Sequence, residues 1–138
     1  MALVSLTYTS IAVSEPLAVQ LQHLLVRAQA RNSEYQVTGA LLFCAGAFAQ
    51  CIEGPPASID HIYRIILEDP LHTDLQLTSH EPIARRAFPE WSMALRTRAG
   101  SHMSWGGPVL SKRLVERPGE PSQAVRLLAR FWRDGGRR

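Results

Sequence analysis

The chain has 138 residues, 46% of them hydrophobic and 20% charged, which is the size and balance of one globular domain and excludes wholesale disorder. No apolar run reaches the roughly 20 residues needed to span a bilayer. The opening MALVSLTYTS has no basic stretch ahead of its apolar residues, so no signal peptide is expected and a cytoplasmic location is. The formal charge is +3, but the basic residues crowd the end of the chain, where Lys112, Arg113, Arg117, Arg126, Arg130, Arg133, Arg137 and Arg138 face only Glu116, Glu120 and Asp134. Such a tail is either a solvated helix face or a surface for nucleic acid or an acidic partner.

In chain order, residues 3–10 alternate, with Val4, Leu6 and Tyr8 on one face of a strand. Ser14 and Pro16 suit the start of a helix, and Leu17, Leu21, Leu24, Leu25 and Ala28 continue it to about Arg31. Residues 37–44 and 47–53 form a hairpin around Ala45-Gly46, and Gly54-Pro55-Pro56 breaks the chain. Ile59, Ile62, Tyr63, Ile66 and Leu67 define a second helix ending near Asp69-Pro70. Residues 74–81 and 87–96 read as strands, the latter interrupted by Pro89; residues 100–108 read as a loop and 121–134 as an amphipathic helix. Cys44 and Cys51 flank the hairpin turn; a cross-strand disulfide is conceivable, but without secretory features two thiols are expected. The scattered His and Cys have no zinc-like spacing.

The order βαββαββ predicts an α+β, ferredoxin-like sandwich, with two helices on one face of a mixed sheet and C-terminal helices added. In that fold the first and third strands are central neighbours. Tyr8 and Gln50 then fall on adjacent strands, each in the file that faces the helices. A buried glutamine needs hydrogen-bond partners. A phenol both donates and accepts, and an amide exchanges donor for acceptor when it turns by half a turn. The pair therefore fits either a satisfied core hydrogen bond or a two-state contact to a planar polar ligand, with Asn32 as a second amide.

The strings LTYTS, ARNSEYQVTGALLFCAGAFAQCIEGP, ILEDPLH and FPEWSMAL, in this order over residues 3–96, together resemble the BLUF family of blue-light sensors that bind FAD. The resemblance implies a sensor domain over residues 1–98 and a helical extension over 99–138 packed on the sheet. It implies that the flavin lies between the two helices, with Asn32 on the pyrimidine side of its ring and Gln50 between the ring and Tyr8. Light is expected to draw an electron and a proton from Tyr8 and to rearrange the Gln50 amide. Trp91 and Met93, two residues apart on one face of a strand, are expected to pass the change outward. Arg27, Arg31, Asp69 and His72 complete the expected cofactor contacts. Leu71 stands where the family often has Arg before the histidine, which removes one cation from the site.

No effector follows the sensor in this sequence, so the expected partner is an unidentified protein in trans, with homodimerisation as a further possibility. The resemblance implies a sensor, so no enzymatic activity is expected. FMN or riboflavin shares the ring contacts with FAD. Two other readings are a nucleic-acid-binding module using the basic tail and a flavin-dependent redox enzyme. The first lacks aromatic residues on the outer face of its central strands, and the second lacks residues for another substrate. No glycine-rich phosphate loop is present.

Overall fold

The computed structural model describes residues 2–14, 18–96, 102–105 and 123–134. Its elements are β1 (Leu3–Ala12), α1 (Ala18–Glu34), β2 (Thr38–Cys44), β3 (Ala47–Gly54), α2 (Pro56–Glu68), β4 (His72–Ile83), β5 (Ser92–Arg96), β6 (His102–Trp105) and α3 (Gln123–Arg133). Six strands make one sheet in the order β4-β1-β3-β2-β5-β6. All neighbours are antiparallel except β2 and β5, which run parallel, so the sheet is mixed as predicted. β1 and β3 are adjacent, with Tyr8 opposite Gln50.

The sheet is covered on both faces. On the inner face, Leu21 and Leu25 of α1 pack with Leu41, Phe43 and Phe48, while Ile59, Ile62 and Ile66 of α2 pack with Leu6, Tyr8, Val37 and Ile52. Of the predicted stripes, Leu21, Leu25, Ala28, Ile59, Ile62 and Ile66 are buried, Leu24 and Tyr63 are half-buried and Leu67 is exposed, while Leu17 lies outside the described residues. On the outer face, Ala124, Leu128, Ala129 and Phe131 of α3 pack on Ala40, Leu42, Ala47, Ala49, Cys51 and Phe88. This second core explains why β3 is buried along its whole length. Among the described residues, no helix is long and apolar enough to cross a membrane.

Several boundaries differ from expectation, β1 for one continuing to Ala12. α1 runs past Arg31 to Glu34, because Asn32 O accepts the N–H groups of Tyr35 and Val37 and Gln36 takes the left-handed conformation at φ 60°; at its other end the described helix begins at Ala18, and Pro16, expected in the first turn, lies outside the described residues. β5 begins at Ser92 and not at residue 87. Pro89 has no N–H to give a ladder, and the Ala87 and Phe88 N–H groups go to the Glu53 carboxylate. Within the expected loop, His102–Trp105 forms the edge strand β6 against β5; its glycines flank this segment rather than interrupt it. β4 extends beyond 74–81 at both ends, with a register irregularity near Asp74, whose φ is 52°. Of the expected C-terminal helices, α3 is described, and residues 106–122 lie outside the described ones.

Both cysteines are buried thiols, and they do not face one another: Cys44 pairs with Ala47, and Cys51 with Ala40. Burial, reinforced by the nearby Glu53 charge, pushes the Cys51 thiol up to about 12, despite the Ser5 hydroxyl 3.4 Å from its sulfur.

Candidate functional site

The site begins with strand alternation. Tyr8 and Ser10 on β1 and Phe48 and Gln50 on β3 all point to the helix-covered face. There the Tyr8 hydroxyl donates to Gln50 Oε1 at 2.5 Å, with both side chains buried. Backbone pairing continues the row across the sheet, from Tyr8 to Gln50 to Leu41 to Met93 to Trp105. The expected hydrogen-bonded pair is thus present, in line with Met93 on β5.

The Tyr8–Gln50 pair lies in a cleft between α1 and the end of α2. Its other walls are Leu24, Ala28, Arg31, Leu41, Phe48, Ile66, Asp69, Leu71 and His72, around a cavity of about 50 Å³. Leu24, Phe48 and Leu71 also line a second hollow of about 220 Å³ with Ser14, Gln20, His23 and Arg27. Apolar walls with a few convergent polar groups are the usual chemistry of a cofactor cleft. Burial drives the Tyr8 phenol well above its ordinary value, Asp69 adds to this, and Arg31 opposes it. Tyr8 is therefore a neutral hydroxyl, able to donate to Gln50, over the whole physiological range. Burial lowers Arg31, while Tyr8 and Asp69 act the other way.

His72 is held by both ring nitrogens. Nε2 lies 2.8 Å from the Ile66 carbonyl and Nδ1 lies 2.7 Å from Ser10 Oγ. A carbonyl only accepts, so Nε2 carries the proton, and in the neutral ring Nδ1 accepts from Ser10. His72 thus adds a second donor to the Ile66 carbonyl at the end of α2, which also accepts the Asp69 N–H. It also stands edge-on to Tyr8, with ring centroids 5.9 Å apart. Asp69 Oδ1 accepts the Leu71 N–H at 2.9 Å, which shapes the turn into β4.

Asn32 and Trp91 line a different wall. With Gln29, Ser33, Gln36, Val37, Thr38 and Arg86 they enclose a cavity of about 470 Å³ at the end of α1. Arg31 Nε donates to Asn32 Oδ1 at 3.1 Å, whereas Asn32 Nδ2 is buried without a partner, as is Trp91 Nε1. An amide donor left over in this way is suited to a carbonyl at the polar edge of a flat heterocycle, and an unmet buried donor costs about 1–3 kcal/mol. The residues present therefore fit a flavin ring. Trp91 is half-buried and packs against both inner-face clusters.

Of the nine residues expected at the site, Tyr8, Gln50, Arg31, Asp69 and His72 line one cleft, Arg27 lines the adjoining hollow, and Asn32 and Trp91 line the polar cavity. Met93 joins them through its backbone row. Sequence reasoning missed Ser10, although its place two residues after Tyr8 puts it on the same face. It also missed Glu53 and Arg86, whose partners are more than 30 residues away and leave no periodic signal.

Comparison with known proteins shows the family and the fold. Residues 3–94 match the BLUF family, sensors of blue-light using FAD. The chain is 36% identical over 96 residues to the photoactivated adenylate cyclase subunit beta of Euglena longa, covering 69% of this chain and 11% of that protein. It thus spans only a small part of the length of the curated relatives it matches. Among solved structures, BlrB, a BLUF protein in its dark state, is 29% identical with a TM-score of 0.67, covering 94% of this chain and 96% of that one. The BLUF structure of BlrP1 from Klebsiella pneumoniae is 27% identical with a TM-score of 0.75, covering 99% and 94%. The nucleic-acid reading is not supported, because α3 covers the sheet face on which bases would stack. The chain belongs to the BLUF family of blue-light sensors that use FAD.

Proposed function

We propose that Tyr8 and Gln50 are the light-driven switch of this sensor and that it signals by a change of shape, not by turnover. The observation that carries this reading is the buried 2.5 Å hydrogen bond between them on the floor of the cleft. The flavin, when bound between α1 and α2, supplies blue-light absorption and accepts one electron. Tyr8 would supply that electron, and its hydroxyl proton would pass along their hydrogen bond to Gln50 Oε1. The Gln50 amide then turns, presenting its NH2 end towards the Tyr8 oxygen and its carbonyl in the opposite direction. The electron and proton would then return to Tyr8, so that the lit state differs from the dark one only in hydrogen bonding, and in the dark the amide turns back and the first arrangement is restored.

Asn32 Nδ2 holds a carbonyl on the pyrimidine side of the ring, and Arg31, Asp69 and His72 border its edge. Arg27, with His23 beside it, faces the phosphate end from the second hollow. FMN and riboflavin share the ring contacts, so these two residues decide how strongly FAD is preferred. The change leaves through Trp91 and Met93 towards β5. Residues 1–98 are the sensor and residues 99–138 the extension that presents the output, in the cytoplasm, to a protein partner or a second copy. A light signal acts on that partner only through a difference in its affinity for the two states.

The test is the visible spectrum of FAD-loaded protein before and during blue light. Wild type shifts slightly to the red and recovers in the dark, while Tyr8→Phe binds flavin but shows no reversible shift. A Tyr8→Phe protein with an unchanged photocycle contradicts the assignment.

A further inference from the structure

Glu53 lies three residues beyond Gln50 on β3, so the two side chains leave opposite faces of one strand. It is only 1% exposed, and a carboxylate is costly to bury without charge-assisted hydrogen bonds. Its Oε2 accepts the Ala87 N–H at 2.9 Å and its Oε1 accepts the Phe88 N–H at 2.7 Å. Arg86 closes the same joint from the other side. Its Nη1 donates to Thr38 Oγ1 and to the Glu53 carbonyl, each at 2.7 Å, and its Nη2 donates to Gln36 O at 2.6 Å. Residues 86–88 are thereby fixed to the ends of β2 and β3 and to the left-handed turn after α1.

The joint stands where β5 begins, since the first pair of β5 with β2 is Ser92 with Ala40, two residues beyond Thr38. It touches both layers. Phe88 is buried in the outer core with Leu128 of α3. Arg86 shares its cavity with Asn32 and Trp91. Residues 84–91 belong to no helix or strand, so they would otherwise absorb any displacement of β3 before it reached Trp91.

We propose that Glu53 and Arg86 are positioning residues for Trp91 and β5, a latch that makes the segment 86–91 follow β3 so that a change at Gln50 is delivered to β5 and to the layer of α3. This rests on the photosensor reading above and names a coupling element within it. Neither residue lines the cleft of Tyr8 and Gln50; Arg86 borders the polar cavity, where its guanidinium is taken up by Thr38 Oγ1, Glu53 O and Gln36 O. Their loss leaves the optical switch working and disconnects it.

The test is amide hydrogen exchange of FAD-loaded wild type, Glu53→Gln and Arg86→Met, dark and under blue light, with visible spectra taken on the same samples. Wild type is expected to show a light-induced change in exchange over residues 84–96. Both variants keep the reversible red shift and lose the light-induced change over 84–96; Glu53→Gln also exchanges about tenfold faster in the dark at Ala87 and Phe88, whose N–H groups lose the charged acceptor. A purely structural role would speed dark exchange and leave the light-induced change in place. That result in either variant overturns the latch, as does a wild type that shifts to the red without a change over 84–96. Arg86 is only half-buried, so Arg86→Met decides the matter if Glu53→Gln does not fold. A wild type with no reversible shift overturns the photosensor reading itself, and the latch falls with it.

Discussion

Tyr8 combines a donor that must be neutral with a site that keeps it so. Its raised affinity for the proton has a consequence for stability. Above about pH 10 the unfolded chain releases the phenol proton and the folded chain retains it, so stability is unaffected below that pH and falls as pH rises beyond it. Cys51, pushed up to about 12, acts in the same direction from about pH 9 upward. Chemical denaturation between pH 8 and 11 should show the loss, and Tyr8→Phe should lessen its slope above pH 10. A wild-type midpoint that is flat across this range contradicts it. Asn32→Ala removes the unpaired donor offered to the ring, and flavin affinity measured by fluorescence titration should fall by roughly tenfold or more. Unchanged affinity would place the ring elsewhere. At this scale the Tyr8–Gln50 pair was legible, because strand alternation and neighbouring strands decide it together. The double engagement of His72 was not, because Ser10 and Ile66 reach it only after β4 has paired with β1.

At the scale of elements, the helix stripes and the hairpin could be read because each obeys one local period. The beginning of β5 could not, because the competitor for its backbone N–H groups is a carboxylate 34 residues earlier in the chain. β6 was hidden for a related reason: an edge strand is held by its ladder to β5, and four residues carry too little pattern to show that. Close packing also explains a glycine. A Cβ on Gly39 would sit 1.9 Å from the Cys51 carbonyl oxygen on the neighbouring central strand, and backbone there has no room to retreat. Gly39→Ala should cost about 1–3 kcal/mol or more, seen as a lower denaturation midpoint. A neutral substitution would mean that β2 and β3 part more easily than this sheet implies. Leu128, fully buried between α3 and the sheet, gives a comparable test: Leu128→Ala should cost about 2–5 kcal/mol. A loss well below 1 kcal/mol would mean that α3 contributes little to the outer core.

For the whole molecule, the basic tail looked from its charges like the feature most open to a partner. In the fold, α3 turns its apolar side to the sheet and leaves Arg126, Arg130 and Arg133 exposed. Arg130 and Asp134 approach at 3.9 Å, an exposed pair worth little to stability. The helix thus closes the face that a base-stacking protein would need open and keeps a cationic surface outside. The central claim concerns the opposite face, where the Gln50 amide on β3 is proposed to change its hydrogen bonding in light. The most direct measurement is the light-minus-dark absorption spectrum of FAD-loaded wild type beside Gln50→Leu. A reversible red shift in wild type that is absent in a Gln50→Leu protein still holding flavin is the predicted result. A Gln50→Leu protein that shifts and recovers like wild type would contradict the claim.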